Sequence, residues 1–150
     1  MSVPDDQPCP RCGRYKNRGL SIDAVIVRDG KILLGKRGAE PCKGQWATIG
    51  GYVEWGEKLE EALVREVFEE TGLKVTSWRI INVYSDPARH PQQAVNVAYV
   101  AETQGDPRPG DDIEEVKWVP LDQIPDNLAF DHAKIIADYK AGASGSLDRS

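Results

Sequence analysis

The stretch GYVEWGEKLEEALVREVFEETGL, Gly51 to Leu73, decides how the rest of the chain is read. Leu59, Leu63, Val64, Val67 and Phe68 recur at helical spacing and predict a helix from about Lys58 to Thr71 with those residues as its apolar face. Gly56 precedes it, Glu57 places a negative charge at the end where the helix dipole favours one, and Gly72 stands where a left-handed C-terminal cap is expected. At about 100° per residue, Glu66, Glu69 and Glu70 fall within an arc of roughly 100° beside the apolar stripe. Like charges at i, i+4 cost about 0.2–0.5 kcal/mol per pair on a helix surface. A hard divalent cation turns that repulsion into binding, because Mg²⁺ takes oxygen ligands and keeps waters for a phosphate-bearing substrate.

An acidic helix face is also an ordinary solvated surface, so the cluster alone decides nothing. The complete spacing does. Gly51, five residues, Glu57, seven residues, then Arg65-Glu66-Val67-Phe68-Glu69-Glu70-Thr71-Gly72-Leu73 follow the pattern G-x5-E-x7-R-E-U-x-E-E-x-G-U at every specified position, U being aliphatic. On this box the chain resembles the Nudix hydrolases, over about Leu20 to Tyr139. The resemblance implies an α/β/α sandwich with a mixed sheet, and metal-dependent hydrolysis of a nucleoside diphosphate linked to another group. It implies Glu66, Glu69 and Glu70 as ligands of Mg²⁺ or Mn²⁺, Glu57 as a further ligand or support, and Arg65 as the group orienting a carboxylate. In the family the residues before the box read G-x-W-x-x-P-G-G. Here Gly44 to Gly51 carry Ile49 in place of the proline, and Gly50-Gly51 are expected to turn the backbone sharply beside a phosphate.

The general base is sought on a later loop, where Asp111, Asp112, Glu114 and Glu115 are candidates; Glu115 is preferred because it abuts the strand Val116-Lys117-Trp118. Substrate contacts are expected from Gly50, Gly51, Arg89 and Phe130. Tyr84 to Arg89 and Leu128 to His132 resemble segments of ADP-ribose pyrophosphatase-type members, although His90-Pro91-Gln92 replaces a second acidic–Pro–Arg step. The Ser-Gln-Pro-Trp signature of NADH-cleaving members is absent, which speaks against NADH. The alternatives to an ADP-ribose-like substrate are an oxidised deoxynucleoside triphosphate, or a Nudix module that senses nucleotides without turnover.

The remaining chain frames this domain. Leu20–Arg28 and Lys31–Arg37 read as strands joined by the hairpin signal Asp29-Gly30; Trp46–Ile49, Lys74–Tyr84, Ala94–Glu102 and Glu115–Pro120 read as further strands, and Phe130–Tyr139 as a last helix. Residues 1–19 form an N-terminal segment, 20–140 the domain, and 141–150 a small, polar tail expected to be flexible. With 150 residues one core suffices, and a net charge of −5 speaks against broad nucleic-acid binding. No apolar run approaches the roughly 18 residues of a membrane span, so a cytoplasmic protein is expected. Cys9-Pro10-Arg11-Cys12-Gly13 has the form of half a zinc ribbon. Zinc takes four ligands; Cys42 is the only other thiol, and His90 and His132 are the only imidazoles. A vestigial knuckle is expected; zinc at Cys9 and Cys12 would need distant ligands or a homodimer sharing the site.

Overall fold

The computed structural model describes residues 6–142. Most of the tail expected to be flexible, and the first five residues, lie outside that range. The elements in chain order are β1 (Leu20–Arg28), β2 (Lys31–Arg37), β3 (Trp46–Ala47), β4 (Ile49–Tyr52), α1 (Leu59–Thr71), β5 (Lys74–Tyr84), a 3₁₀ turn (Pro87–Arg89), β6 (Val95–Gln104), β7 (Ile113–Pro120) and α2 (His132–Lys140). Asp29 and Gly30, at φ 52° and 75°, make the tight turn that joins β1 to β2.

Seven strands form one mixed sheet, ordered β3-β2-β1-β6-β5, with β4 paired to β1 and β7 to β2. Only β1 and β6 run parallel. The first half of β1 pairs with β4 (Ser21–Ala24 against Ile49–Tyr52) and its last two residues pair with β2, so the sheet splays open along β1. Both faces are covered. Ile22, Ala24 and Ile26 pack with Leu63, Val67 and Leu73 on the α1 side, whereas Val25 packs with Ile135 and Ile136 of α2 on the other. The period-2 alternation of β1 therefore feeds two cores, which is why it reads as an almost continuous apolar run. This is the mixed-sheet α/β/α sandwich.

Three expectations are corrected. Val64 and Phe68 of α1 are exposed, at 39% and 59%; the buried face is Ala62, Leu63, Glu66, Val67, Glu70 and Thr71. Gly50-Gly51 are not a sharp turn: they continue β4 opposite Asp23 and Ile22, while the break falls at Thr48. The last helix begins at His132, because Phe130 sits at φ 51° and cannot start a right-handed helix. Among the described residues no helix is long and apolar enough to cross a membrane.

The Cys9–Gly13 segment is a closed turn, with Cys9 N–H donating to Arg14 O (2.7 Å) and Gly13 N–H to Cys9 O (2.8 Å). Backbone N–H groups of Arg11 and Cys12, with the Cys12 thiol, lower the Cys9 thiol below its usual range. All three cysteines are free, and among the described residues no three Cys, His, Asp or Glu side chains converge as metal ligands. If the knuckle is vestigial, purified protein should hold well under one zinc per chain by elemental analysis. Replacing Cys9 and Cys12 together by Ser should move the melting temperature by only a few degrees. Stoichiometric zinc with a large loss of stability would reverse this reading.

Candidate active site

Where β4 and β2 diverge along β1, a cavity of about 470 Å³ opens between the N-terminal end of β1, the box and the loops before β7 and α2. Its floor is acidic. Glu66 and Glu70, one helical turn apart, both face it and are 8% exposed. Each carboxyl feels the other's presence. Burial, the Glu66 and Asp23 charges and Asp111 push the Glu70 carboxyl up to about 9, against a backbone N–H from Gly50 that favours its anion. Burial likewise raises Glu66, opposed by Arg65. The glycines make room for this: a Cβ on Gly51 would stand 2.5 Å from the Glu66 carboxyl, and one on Gly50 would run into Ile22 O and Asp23. Gly50 and Gly51 line the cavity, and their smallness admits carboxylates.

Arg65 lies behind the floor. It donates to Glu57 through Nε (2.7 Å) and Nη2 (2.9 Å), to Glu66 Oε1 (2.7 Å), to Glu69 Oε2 (3.2 Å) and to the Tyr52 carbonyl (3.0 Å). The Arg65 bonds, aided by a backbone N–H, hold the Glu57 carboxyl down at about 2. Of the four carboxylates expected to bind metal, the structure turns Glu66 and Glu70 into the cavity and leaves Glu57 and Glu69 on Arg65. Two adjacent buried carboxylates that repel unless a proton or a cation joins them fit a hard divalent ion in their chemistry.

A second polar group continues the floor, and sequence reading missed it. Asp23, 6% exposed in mid-β1, accepts from Thr48 Oγ1 (2.8 Å) and from Asn96 Nδ2, and its Oδ2 lies 3.5 Å from His132 Nε2. Thr48 N–H donates to His132 Nδ1 (3.2 Å), so the ring proton of neutral His132 belongs on Nε2, facing Asp23. His132 is thus held between Thr48 and Asp23. The one signal in the sequence was an acid inside an otherwise apolar strand.

The opposite wall is planar. His90 stacks on Phe130 (centroids 4.6 Å apart, 25°), Tyr52 meets His90 edge-on at 6.3 Å, and the Arg37 guanidinium lies 5.1 Å over Phe130. Phe130 lines the cavity, joined by Arg37, Tyr52 and His90. Arg89 also lines it, but its side chain is 4% exposed and its guanidinium is bonded to Asp131. Glu115 does not reach the cavity: it is exposed on β7 opposite Lys36, whereas Asp111 and Asp112, just before β7, do line it.

Known proteins resemble the chain in sequence and in fold. Residues 17–139 match the family described as the NUDIX domain. The chain is 41% identical over 133 residues to an ADP-ribose pyrophosphatase of Methanocaldococcus jannaschii, covering 87% of this chain and 78% of that protein. It is 38% identical over 120 residues to the NAD-capped RNA hydrolase NudC of Chromobacterium violaceum, covering 78% of this chain but only 44% of the relative. In structure it resembles the Nudix domain of Shewanella oneidensis NrtR complexed with ADP ribose, at a TM-score of 0.77 and 27% identity, over 89% of this chain and 92% of that one. With the intact box on α1 and its glycines beneath the carboxylates, these matches establish that the chain belongs to the Nudix family of pyrophosphohydrolases.

Proposed function

We propose that the protein hydrolyses the diphosphate of ADP-ribose or a similar nucleoside diphosphate sugar, with Mg²⁺ or Mn²⁺ held by Glu66 and Glu70. Water adds to one phosphorus, the bond from that phosphorus to the bridging oxygen breaks, and ADP-ribose would yield AMP and ribose 5-phosphate. The observation that carries the reading is the two-sided cavity, with an acidic floor for the diphosphate's cation and a planar wall for a base. The relative named ADP-ribose pyrophosphatase and the ADP-ribose complex of NrtR support the same class. What such an ion supplies when bound is neutralisation of the diphosphate charge and activation of water. The chain's own part is to hold the floor in place through Arg65 and Gly50, and to accept the proton of the attacking water.

Asp111 or Asp112 suits that last task better than Glu115, since both line the cavity. Asp111→Asn and Asp112→Asn should be compared with Glu115→Gln in kcat–pH profiles. One of the two Asn variants is expected to lose about a hundredfold in kcat together with the acidic limb of the profile, the scale of general base catalysis. Glu115→Gln should stay within twofold; a large loss there would restore Glu115.

A triphosphate fits less well. Asp23, Glu40, Glu54, Glu66, Glu70, Asp111 and Asp112 line the cavity against two arginines, Arg37 and Arg89. Both arginines already donate to protein acceptors, Arg37 Nε to Pro41 O at 2.7 Å. Assay against ADP-ribose, dinucleotides and deoxynucleoside triphosphates with Mg²⁺ and with Mn²⁺, resolving nucleoside monophosphate, sugar phosphate and pyrophosphate, tests the proposal. ADP-ribose-like substrates should show the highest kcat/KM. A tenfold preference for a triphosphate would refute it, and binding without product would point to a sensor.

A further inference from the structure

Arg89 is expected from the sequence to contact substrate, and a phosphate is the group a guanidinium would grip, but its nitrogens are already taken. Nε and Nη2 donate to Asp131 Oδ2 and Oδ1 at 2.9 and 2.7 Å, and Nη1 donates to Ala94 O at 3.0 Å. Every nitrogen of the guanidinium thus has a protein acceptor, and the side chain is 4% exposed. Its partner Asp131 lines not the main cavity but a second one, beside Asn82, Ser85 and Lys134.

The neighbours of this pair in sequence are what matter. Arg89 is followed by His90, and Asp131 is preceded by Phe130, so the two-pronged ion pair sits one residue from each ring of the His90–Phe130 stack. Phe130 is held at φ 51°, a conformation an aromatic residue adopts only under constraint. His90 is fixed from its own side, because Gln92 N–H donates to Nδ1 (3.0 Å) and the Gln92 side chain accepts from Tyr52 Oη (2.8 Å). Arg18 ties both ends of the same loop, donating to Gln93 O and Ser85 O, each at 2.7 Å. A loop and a helix start that are 42 residues apart are thereby locked so that two rings present one wall.

We propose that Arg89 and Asp131 are positioning residues that hold His90 against Phe130 as the wall on which the nucleobase of the substrate rests, and that Arg89 is not a phosphate ligand. This rests on the nucleoside diphosphate reading above. A bidentate guanidinium–carboxylate pair is not reproduced by lysine, which separates bracing from charge.

The test is calorimetric binding of the two expected products, AMP and ribose 5-phosphate, in Mg²⁺, with steady-state kinetics on ADP-ribose alongside. Arg89→Ala, Arg89→Lys, Asp131→Ala and His90→Ala should each weaken AMP about five- to tenfold, the scale of one base–aromatic stack. Ribose 5-phosphate should stay within twofold, and KM should rise while kcat holds within threefold. Equal weakening of both products by Arg89→Ala, with Arg89→Lys near the parent, would make Arg89 a phosphate ligand and overturn the proposal. Unchanged AMP affinity in His90→Ala would overturn it even if the ion-pair variants do not fold. Parent protein that binds AMP no better than ribose 5-phosphate would instead refute the nucleotide reading, and this proposal with it.

Discussion

Glu70→Gln should abolish most of the activity while making the metal-free protein more stable at alkaline pH. The amide keeps the shape of the side chain and removes the anion, and turnover is expected to fall at least about a hundredfold, as for loss of a main electrostatic contribution. The stability effect follows from the raised carboxyl, at about 9 in the folded protein against an ordinary 4.5. Between those values the folded state holds a proton that the unfolded state has lost, so stability falls as pH rises through that window. Glutamine does not titrate. Thermal melts in a chelator at pH 5.5 and 8.5 should therefore show the variant gaining on the parent at the higher pH. Added Mg²⁺ should stabilise the parent much more than the variant, since a ligand stabilises only the state that binds it. A variant that keeps a tenth of the activity at saturating Mg²⁺ would remove Glu70 from the site.

The second large effect is steric and separates two adjacent glycines. At Gly50 a methyl group would strike Ile22 O and lie 2.8 Å from Asp23 Cα, backbone of a central strand that cannot give way. Gly50→Ala should cost about 3 kcal/mol, the upper end for overpacking, and lower the melting temperature by roughly 6–12 °C in a domain of this size. At Gly51 the obstacle is the far end of the Glu66 side chain. Gly51→Ala should therefore lose activity about a hundredfold, by displacing that carboxylate, with a much smaller loss of stability. A melting temperature within 2 °C of the parent for Gly50→Ala would show that β1 and β4 can separate there.

How much of this was legible in the chain differs by element. The bounds of β1, β2 and β5 follow from local chemistry, as at Asp29-Gly30, and α1 is displaced by one residue from its expected start. The buried face of α1 was misjudged because hydrophobicity alone cannot see that Glu66 and Glu70 take inward positions; Val64 and Phe68 are turned outward instead. Glu115 was preferred by proximity to a strand, yet on β7 both Glu114 and Glu115 are exposed, and Glu115 does not line the cavity. Asp23, Thr48 and His132 form their network across as many as 84 residues between Thr48 and His132, so no local pattern announces it. Arg89 reads alike as a substrate ligand or a residue packed on the protein, because its partner Asp131 lies 42 residues away in the chain.

The loop between β6 and β7 is fastened to the end of α1, with Arg108 N–H donating to Thr71 O and Gly110 N–H to Glu70 O, each at 2.9 Å, and Gly110 packed so closely on Glu69 O that no larger residue fits. Asp111 follows directly, so its distance from Glu70 is measured along two residues of backbone instead of along the whole loop. This divides the loop by its tolerance for added length. Residues inserted between Gly105 and Pro107 would bulge outward, upstream of both attachment points, and leave the chemistry untouched. One residue inserted between Arg108 and Asp111 would carry the aspartates out of register with the helix.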